Sequence, residues 1–235
     1  MPAALLRDLE ERARAAGFDL FGLVDAERFD AGQPHELRCA RELPGCGTVL
    51  VLGCGGPSPA QWGAPRELAD MLRKRGHRAR LAEPMQSRLR FSALGEAAGL
   101  GTVSPVIHRL LHPKFGPRVL VGAAVLVEGR PFGPIADASI AERFQPCCQC
   151  ARPCLSACPG DVHDGHGNVD EDRCSKERAQ GPCADACRVV RSCPVGAGQA
   201  LPTEVEAERH RFELHRSQSM RGRGLLPVLR RWIGW

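Results

Sequence analysis

The first 130 residues alternate between two hydrophobic textures. Leu5, Leu6, Leu9, Ala13 and Ala16 recur at helical spacing and predict a helix over about 3–16. FDLFGLVDA (18–26), GTVLVLG (47–53) and RVLVGAAVLVE (118–128) are short, nearly continuous apolar runs bounded by Gly and Pro, the mark of buried strands. Between them, PRELADMLRKRGH (65–77) reads as a helix closed by Gly76, and residues 86–98 as another. This alternation predicts an α/β or α+β layer built on a central sheet. Past residue 130 the periodicity dissolves into Pro, Gly and Cys until a last helical stretch at 203–216.

That change of texture divides the chain into an α/β domain (1–135), a cysteine-rich domain (136–200) and a C-terminal helix with a basic tail (201–235). Nine of the 12 cysteines lie between Cys147 and Cys193. A region so poor in regular apolar spacing relies on bound metal more than on a hydrophobic core for its shape. The 235 residues carry a formal charge of +5, which permits an acidic partner without demanding nucleic acid. With no Tyr, 8 Phe and 3 Trp, there are few platforms for stacking bases, so nucleic-acid binding is not expected. The N-terminal stretch interleaves Arg7, Asp8, Glu10, Glu11 and Arg12 with its apolar residues, unlike a signal peptide, and no run approaches 18 apolar residues. A cytoplasmic protein without structural disulfides is the expectation.

The cysteines then carry the chemistry. Cys147, Cys150, Cys154 and Cys158 form C-x2-C-x3-C-x3-C-P; Cys174 stands alone; Cys183, Cys187 and Cys193 form C-x3-C-x5-C-P. Eight cysteines in two sets of four, each set ending in Cys-Pro, suit two [4Fe–4S] clusters, because in two-cluster ferredoxins the cysteine before proline ligates the other cluster. One cluster is therefore expected on Cys147, Cys150, Cys154 and Cys193, and the other on Cys158, Cys174, Cys183 and Cys187. Structural zinc prefers paired C-x2-C units and ranks below this reading, with disulfides last. Cys148 is the extra thiol; whether it or Cys147 is the ligand stays open.

Ala98-Gly99-Leu100-Gly101, His112-Pro113-Lys114-Phe115-Gly116 and the apolar run Val119 to Val127, followed by the cysteines in this order, resemble the epoxyqueuosine reductases and their reductive dehalogenase relatives. FDLFGLVDA and LPGCGTVLVLG (43–53) match that family's opening strand segments, so the resemblance covers most of residues 1–200. It implies a reductase-like α/β domain, two [4Fe–4S] clusters, a cobalamin, and an acidic residue that gives a proton to substrate. The segment 55–98, which in the family helps enclose cobalamin, is shortened here. Glu83 is the carboxylate nearest the place of the family's acid, within RLAEPMQSRL, which departs from the family motif. The helical repeat extension after the family's clusters is also missing.

Other features take ordinary readings. VLGCGG (51–56) lacks the spacing of a phosphate loop and reads as a strand-end turn. His163 and His166 read as exposed turn residues, and Cys39, Cys46 and Cys54 as small buried hydrophobes. Five arginines and no acids fall between 216 and 235; packing back onto the sheet is preferred over docking to a membrane or an acidic partner. The function expected is ferredoxin-like transfer of single electrons with a redox partner protein, the alternative being a compact cobalamin-dependent reductase, in which case tRNA enters as a partner.

Overall fold

The structure is a computed structural model that describes residues 3–56, 63–84, 86–129 and 142–211. Among the described residues there are six strands: β1 (Leu20–Asp25), β2 (Cys46–Cys54), β3 (Ala79–Ala82), β4 (Thr102–Val103), β5 (Leu110–Leu111) and β6 (Leu120–Glu128). Four of them make one sheet in the order β1-β2-β6-β3, and every neighbouring pair is antiparallel. The layer is thus an antiparallel sheet with helices, the α+β form of the expectation.

Both faces of this sheet are covered, which explains why β2 and β6 read as unbroken apolar runs. Along β2, Leu50 and Leu52 face one side, while Val49 and Val51 face the other. The first side packs under α1 (Ala3–Ala15) and α4 (Ala64–Lys74), through Leu5, Leu9, Ala13, Leu68 and Leu72. The second packs under α2 (Ala26–Ala31), α3 (Cys39–Glu42) and α5 (Phe91–Ala97), through Phe29, Cys39 and Leu94. Asp25 caps α2 by accepting from the Glu27 and Arg28 N–H groups.

Two elements differ from the pattern-based expectation. β3 escapes a periodicity reading because ARLA puts Arg80 between small apolar residues. It is an edge strand, and edge strands tolerate and use charge: Arg80 forms an ion pair with Glu42 at 2.7 Å, and Arg78, just before the strand, pairs with Glu128 at 2.8 Å. The second predicted helix starts at Phe91 instead of 86; before it, the Glu83 carbonyl accepts from the Gln86 and Ser87 N–H groups, which closes a turn there. The last helix is described over 203–211, and the basic tail lies outside the described residues. Within that helix Arg209 is buried and donates to the Gly56 carbonyl at 2.9 Å, tying the chain's last described segment to the end of β2.

β4 and β5 form a hairpin that leaves the main layer. Glu96 of α5 anchors its base, accepting from the Thr102 hydroxyl at 3.0 Å and the Val103 N–H at 2.6 Å. The loop of this hairpin, residues 104–109, carries Val106 and Ile107 into the cysteine-rich region, where they pack with Val189 and against Cys147, Cys154, Cys158 and Cys187.

A turn at 112–116 follows the hairpin. His112 Nδ1 accepts from the Lys114 N–H at 3.0 Å and the Phe115 N–H at 3.4 Å, so the turn needs that nitrogen unprotonated. Burial lowers the His112 pKa from its ordinary 6.5, with Asp19 opposing and Lys114 adding to the shift. The unfolded chain therefore binds this proton at a higher pH than the folded one, and stability is lost as pH falls below about 6.5 toward the folded value. Melting at pH 7.5 and pH 5.5 should show that loss, and His112→Asn, whose side-chain oxygen replaces Nδ1 as acceptor, should reduce it. An equal pH dependence in both proteins would assign the loss to other groups.

Candidate metal centres

Two short helices organise the cysteines. α6 (Pro153–Ser156) contains Cys154 and is followed by Cys158; α8 (Arg188–Ser192) is flanked by Cys187 before it and Cys193 after it. The two helices pack beside each other. Between them in sequence, α7 (Glu171–Gln180) carries Cys174 and is capped by Asp170, which accepts from the Arg173 N–H. The C-x3-C and C-x5-C spacings thus place one cysteine at each end of a single helical turn or two, so that each helix can offer a thiol in two directions.

Cys147, Cys150, Cys154 and Cys193 all line one cavity of about 520 Å3. Its other walls include Val106, Ile107, Leu111 and Val195, which make it dry on the protein side. Burial raises the Cys193 pKa, the Val195 N–H opposes this, and the neighbouring Cys147, Cys154 and Cys150 sulfurs raise it further. Cys154 behaves alike: burial first, then Cys147 and, more weakly, Cys150. Arg152 adopts a left-handed φ of 57° and turns its N–H onto Cys150 Sγ at 3.4 Å. Cys148, by contrast, is exposed, is not part of the cavity wall, and contacts Gln145 Oε1. Of the adjacent pair, Cys147 is the one that lines the cavity.

The other four gather separately. Burial raises the Cys174 pKa; Arg178 and Arg109 oppose it, and Cys187 and Cys158 add to it. Cys183 is raised by burial and by Cys187, Cys158 and Glu177, with the Arg188 N–H opposing. Cys147, Cys150, Cys154 and Cys193 thus share one cavity, while Cys158 and Cys187 are the sulfurs that raise Cys174 and Cys183. Like charges crowded in low dielectric cannot all ionise without a compensating cation, and a polynuclear iron core bound by four thiolates supplies one. Among the described residues no three Cys, His, Asp or Glu side chains meet closely enough to hold a single metal ion; the sulfurs stand around a space.

Remaining candidates find plainer places. Glu83 lies in the turn after β3, where its carboxylate accepts from Gln86 Nε2 at 2.8 Å, and it is not part of the cysteine cavity. His163 is half-buried, pairs across a bridge with Val169, and is lowered in pKa by burial and by Arg109, so it is not the exposed turn residue expected; His166 is exposed. Cys39 and Cys54 are buried, and burial pushes Cys46 up to about 11, which leaves none of the three a ready nucleophile. The Gly55 N–H donates to the Asp19 carboxylate, so the strand-end turn faces an acid where a phosphate site would need open donors.

No family model matches the sequence, and no curated protein matches it. Solved structures do match the fold. An epoxyqueuosine reductase from Bacillus subtilis superposes with a TM-score of 0.59 at 18% identity, covering 86% of this chain and 68% of the reductase. A reductase crystallised with an epoxyqueuosine-modified tRNA-Tyr stem loop gives 0.58 at 20% identity, again over 86% of this chain and 68% of its own. This chain has the epoxyqueuosine reductase fold. A catabolic reductive dehalogenase shares it, with a TM-score of 0.59 at 18% identity over 90% of this chain but only 35% of the dehalogenase. The reductase fold thus spans the α/β layer together with the cysteine-rich region. Sequence reading reached this likeness through the Gly-Leu-Gly turn and the cysteine order. It missed Ser104, which stands 3.3 Å from Cys147 Sγ and carries no motif to announce it.

Proposed function

We propose that the chain binds two [4Fe–4S] clusters, on Cys147, Cys150, Cys154 and Cys193 and on Cys158, Cys174, Cys183 and Cys187, and passes single electrons between a donor and an acceptor protein. The observation that carries this is the cavity that brings Cys193 to Cys147, Cys150 and Cys154; Cys158 and Cys187, the sulfurs felt by Cys174 and Cys183, support a second site. Bound there, the clusters would supply one-electron transfer. The chain's own part is to hold thiolates at fixed places, to exclude water with Val106, Ile107 and Val189, and to aim N–H groups at sulfur, as Arg152 does at Cys150.

A second reading, cobalamin-dependent reduction, rests on the fold alone. One structure of this fold is described as suggesting a mechanism for B12-dependent dehalogenation; it matches with a TM-score of 0.56 at 18% identity, over 90% of this chain. On that reading the α/β layer would carry a substrate site, and tRNA would be among the candidate partners. Glu83, held in its turn by Gln86, is given no acid role.

Anaerobic reconstitution tests the first reading. About eight iron and eight sulfide per chain, with a broad visible absorption bleached by dithionite, is the expected result; an iron-free protein that takes zinc instead overturns it. Adding hydroxocobalamin to the reconstituted protein tests the second: a shift of the corrinoid spectrum with saturable binding supports it, and an unchanged spectrum removes it.

A further inference from the structure

We propose that the Ser104 hydroxyl donates to the Cys147 sulfur and thereby raises the reduction potential of the cluster on Cys147, Cys150, Cys154 and Cys193, an inference that rests on the two-cluster reading above.

Ser104 follows β4 at the start of the hairpin loop and is 1% exposed. Its backbone is tied on both sides: the N–H donates to the Arg109 carbonyl at 2.8 Å, and the carbonyl accepts from the His108 N–H at 3.0 Å. The side chain is equally committed. Its Oγ accepts from the Val106 N–H at 3.2 Å and the Ile107 N–H at 3.3 Å. A hydroxyl has two acceptor positions and one hydrogen. With both acceptor positions taken, the remaining contact, Cys147 Sγ at 3.3 Å, receives the hydrogen. A ligating thiolate has no proton of its own, so the direction is the same from the sulfur's side.

The consequence concerns potential. A hydrogen bond to an ionised acceptor in a buried setting is stronger than a neutral one. An added electron increases the negative charge shared by the sulfurs, so the bond stabilises the reduced form more than the oxidised form, and hydrogen bonds to sulfur are among the determinants of cluster potential. The loop also brings Val106 and Ile107 to the same thiols, so one turn both dries the site and aims a proton at it. Ser104 would act through a ligand and not on a substrate, as a tuning residue.

The test is a potentiometric titration followed by EPR on the anaerobic full-length protein with both clusters. Ser104→Ala should move one cluster's midpoint to more negative potential, by up to about tenfold in its reduction equilibrium, or about 59 mV for one electron, and leave the other in place. Ser104→Thr, which keeps the hydroxyl, should restore the wild-type value. Both midpoints unmoved in a Ser104→Ala protein of full iron content would overturn the inference while leaving the clusters intact; a wild-type protein without clusters would overturn the function reading itself. Ser104→Ala also deprives two N–H groups of their acceptor and could release iron. The wild-type protein then decides: ENDOR of its reduced state should show a proton coupling that vanishes quickly in D2O, as a hydroxyl exchanges and a hydrogen-bonded buried amide does not. Absence of such a coupling overturns the proposal.

Discussion

Cys193→Ala is expected to lower the iron content from about eight to about four atoms per chain, and Cys158→Ala to do the same by removing the other cluster. The doubles separate the crossed assignment from a sequential one. Cys193 shares its surroundings with Cys147, Cys150 and Cys154, and these four line one cavity. Cys193→Ala combined with Cys154→Ala should therefore cost no more iron than either alone, since both belong to one site. Cys193→Ala combined with Cys158→Ala should abolish iron binding. If the clusters were held in sequence order, with Cys158 beside Cys154 and Cys193 beside Cys187, the Cys193/Cys154 double would abolish iron binding as well, and only the Cys193/Cys158 double would keep its outcome. Iron analysis with EPR of the reduced single variants reads both results, because loss of one cluster also removes the magnetic coupling of a pair.

Gly116→Ala should destabilise the protein by about 3 kcal/mol or more, near the upper end of single substitutions, and lower its melting temperature by roughly 6–12 °C. Gly116 has a φ of +58°, and a Cβ there would strike the Val195 carbonyl oxygen. Gly196 in turn faces the Phe115 backbone closely, so the turn that ends at Gly116 and the turn after Cys193 interlock with no room for a side chain. Arg118, 7% exposed, fastens the same junction by donating to the Val195 and Gly196 carbonyls at 3.4 and 3.2 Å. A displaced Val195 moves Cys193, so the first cluster should also become easier to strip with a chelator. Gly76→Ala is the control: its φ is +84° with nothing within 4 Å of an added Cβ. It carries only the left-handed strain of about 1–2 kcal/mol. Equal losses in the two variants would show that the interlock contributes nothing.

The cysteine spacing was legible in the sequence as a local feature, whereas the surroundings of the thiols were not. Thiol chemistry is local: a cysteine two or three residues from another can share a ligand set wherever the chain goes, and a Cys-Pro ending directs the last thiol away. Cys154 and Cys193 reach one cavity because α6 and α8 lie side by side. The strands β1, β2 and β6 were legible because burial on both faces leaves unbroken Leu, Val and Ala. β3 was not, because an edge strand with Arg80 on it satisfies the sheet through backbone hydrogen bonds that no side-chain pattern reports. Cys147 and Cys148 were inseparable in sequence, since only the position of the cavity distinguishes neighbours whose side chains diverge.

The sequence by itself determined three of the layer's four strands, the helices α1, α4 and α5 and the inventory of eight thiols, because apolar spacing and ligand spacing are properties of adjacent residues. Tertiary structure alone decided that the sheet is antiparallel, that the β4–β5 loop delivers Val106, Ile107 and Ser104 to the cysteines, and that Gly116 meets Val195. Those contacts join residues more than 20 positions apart, and their energies depend on distances that exist only once the chain has closed on itself.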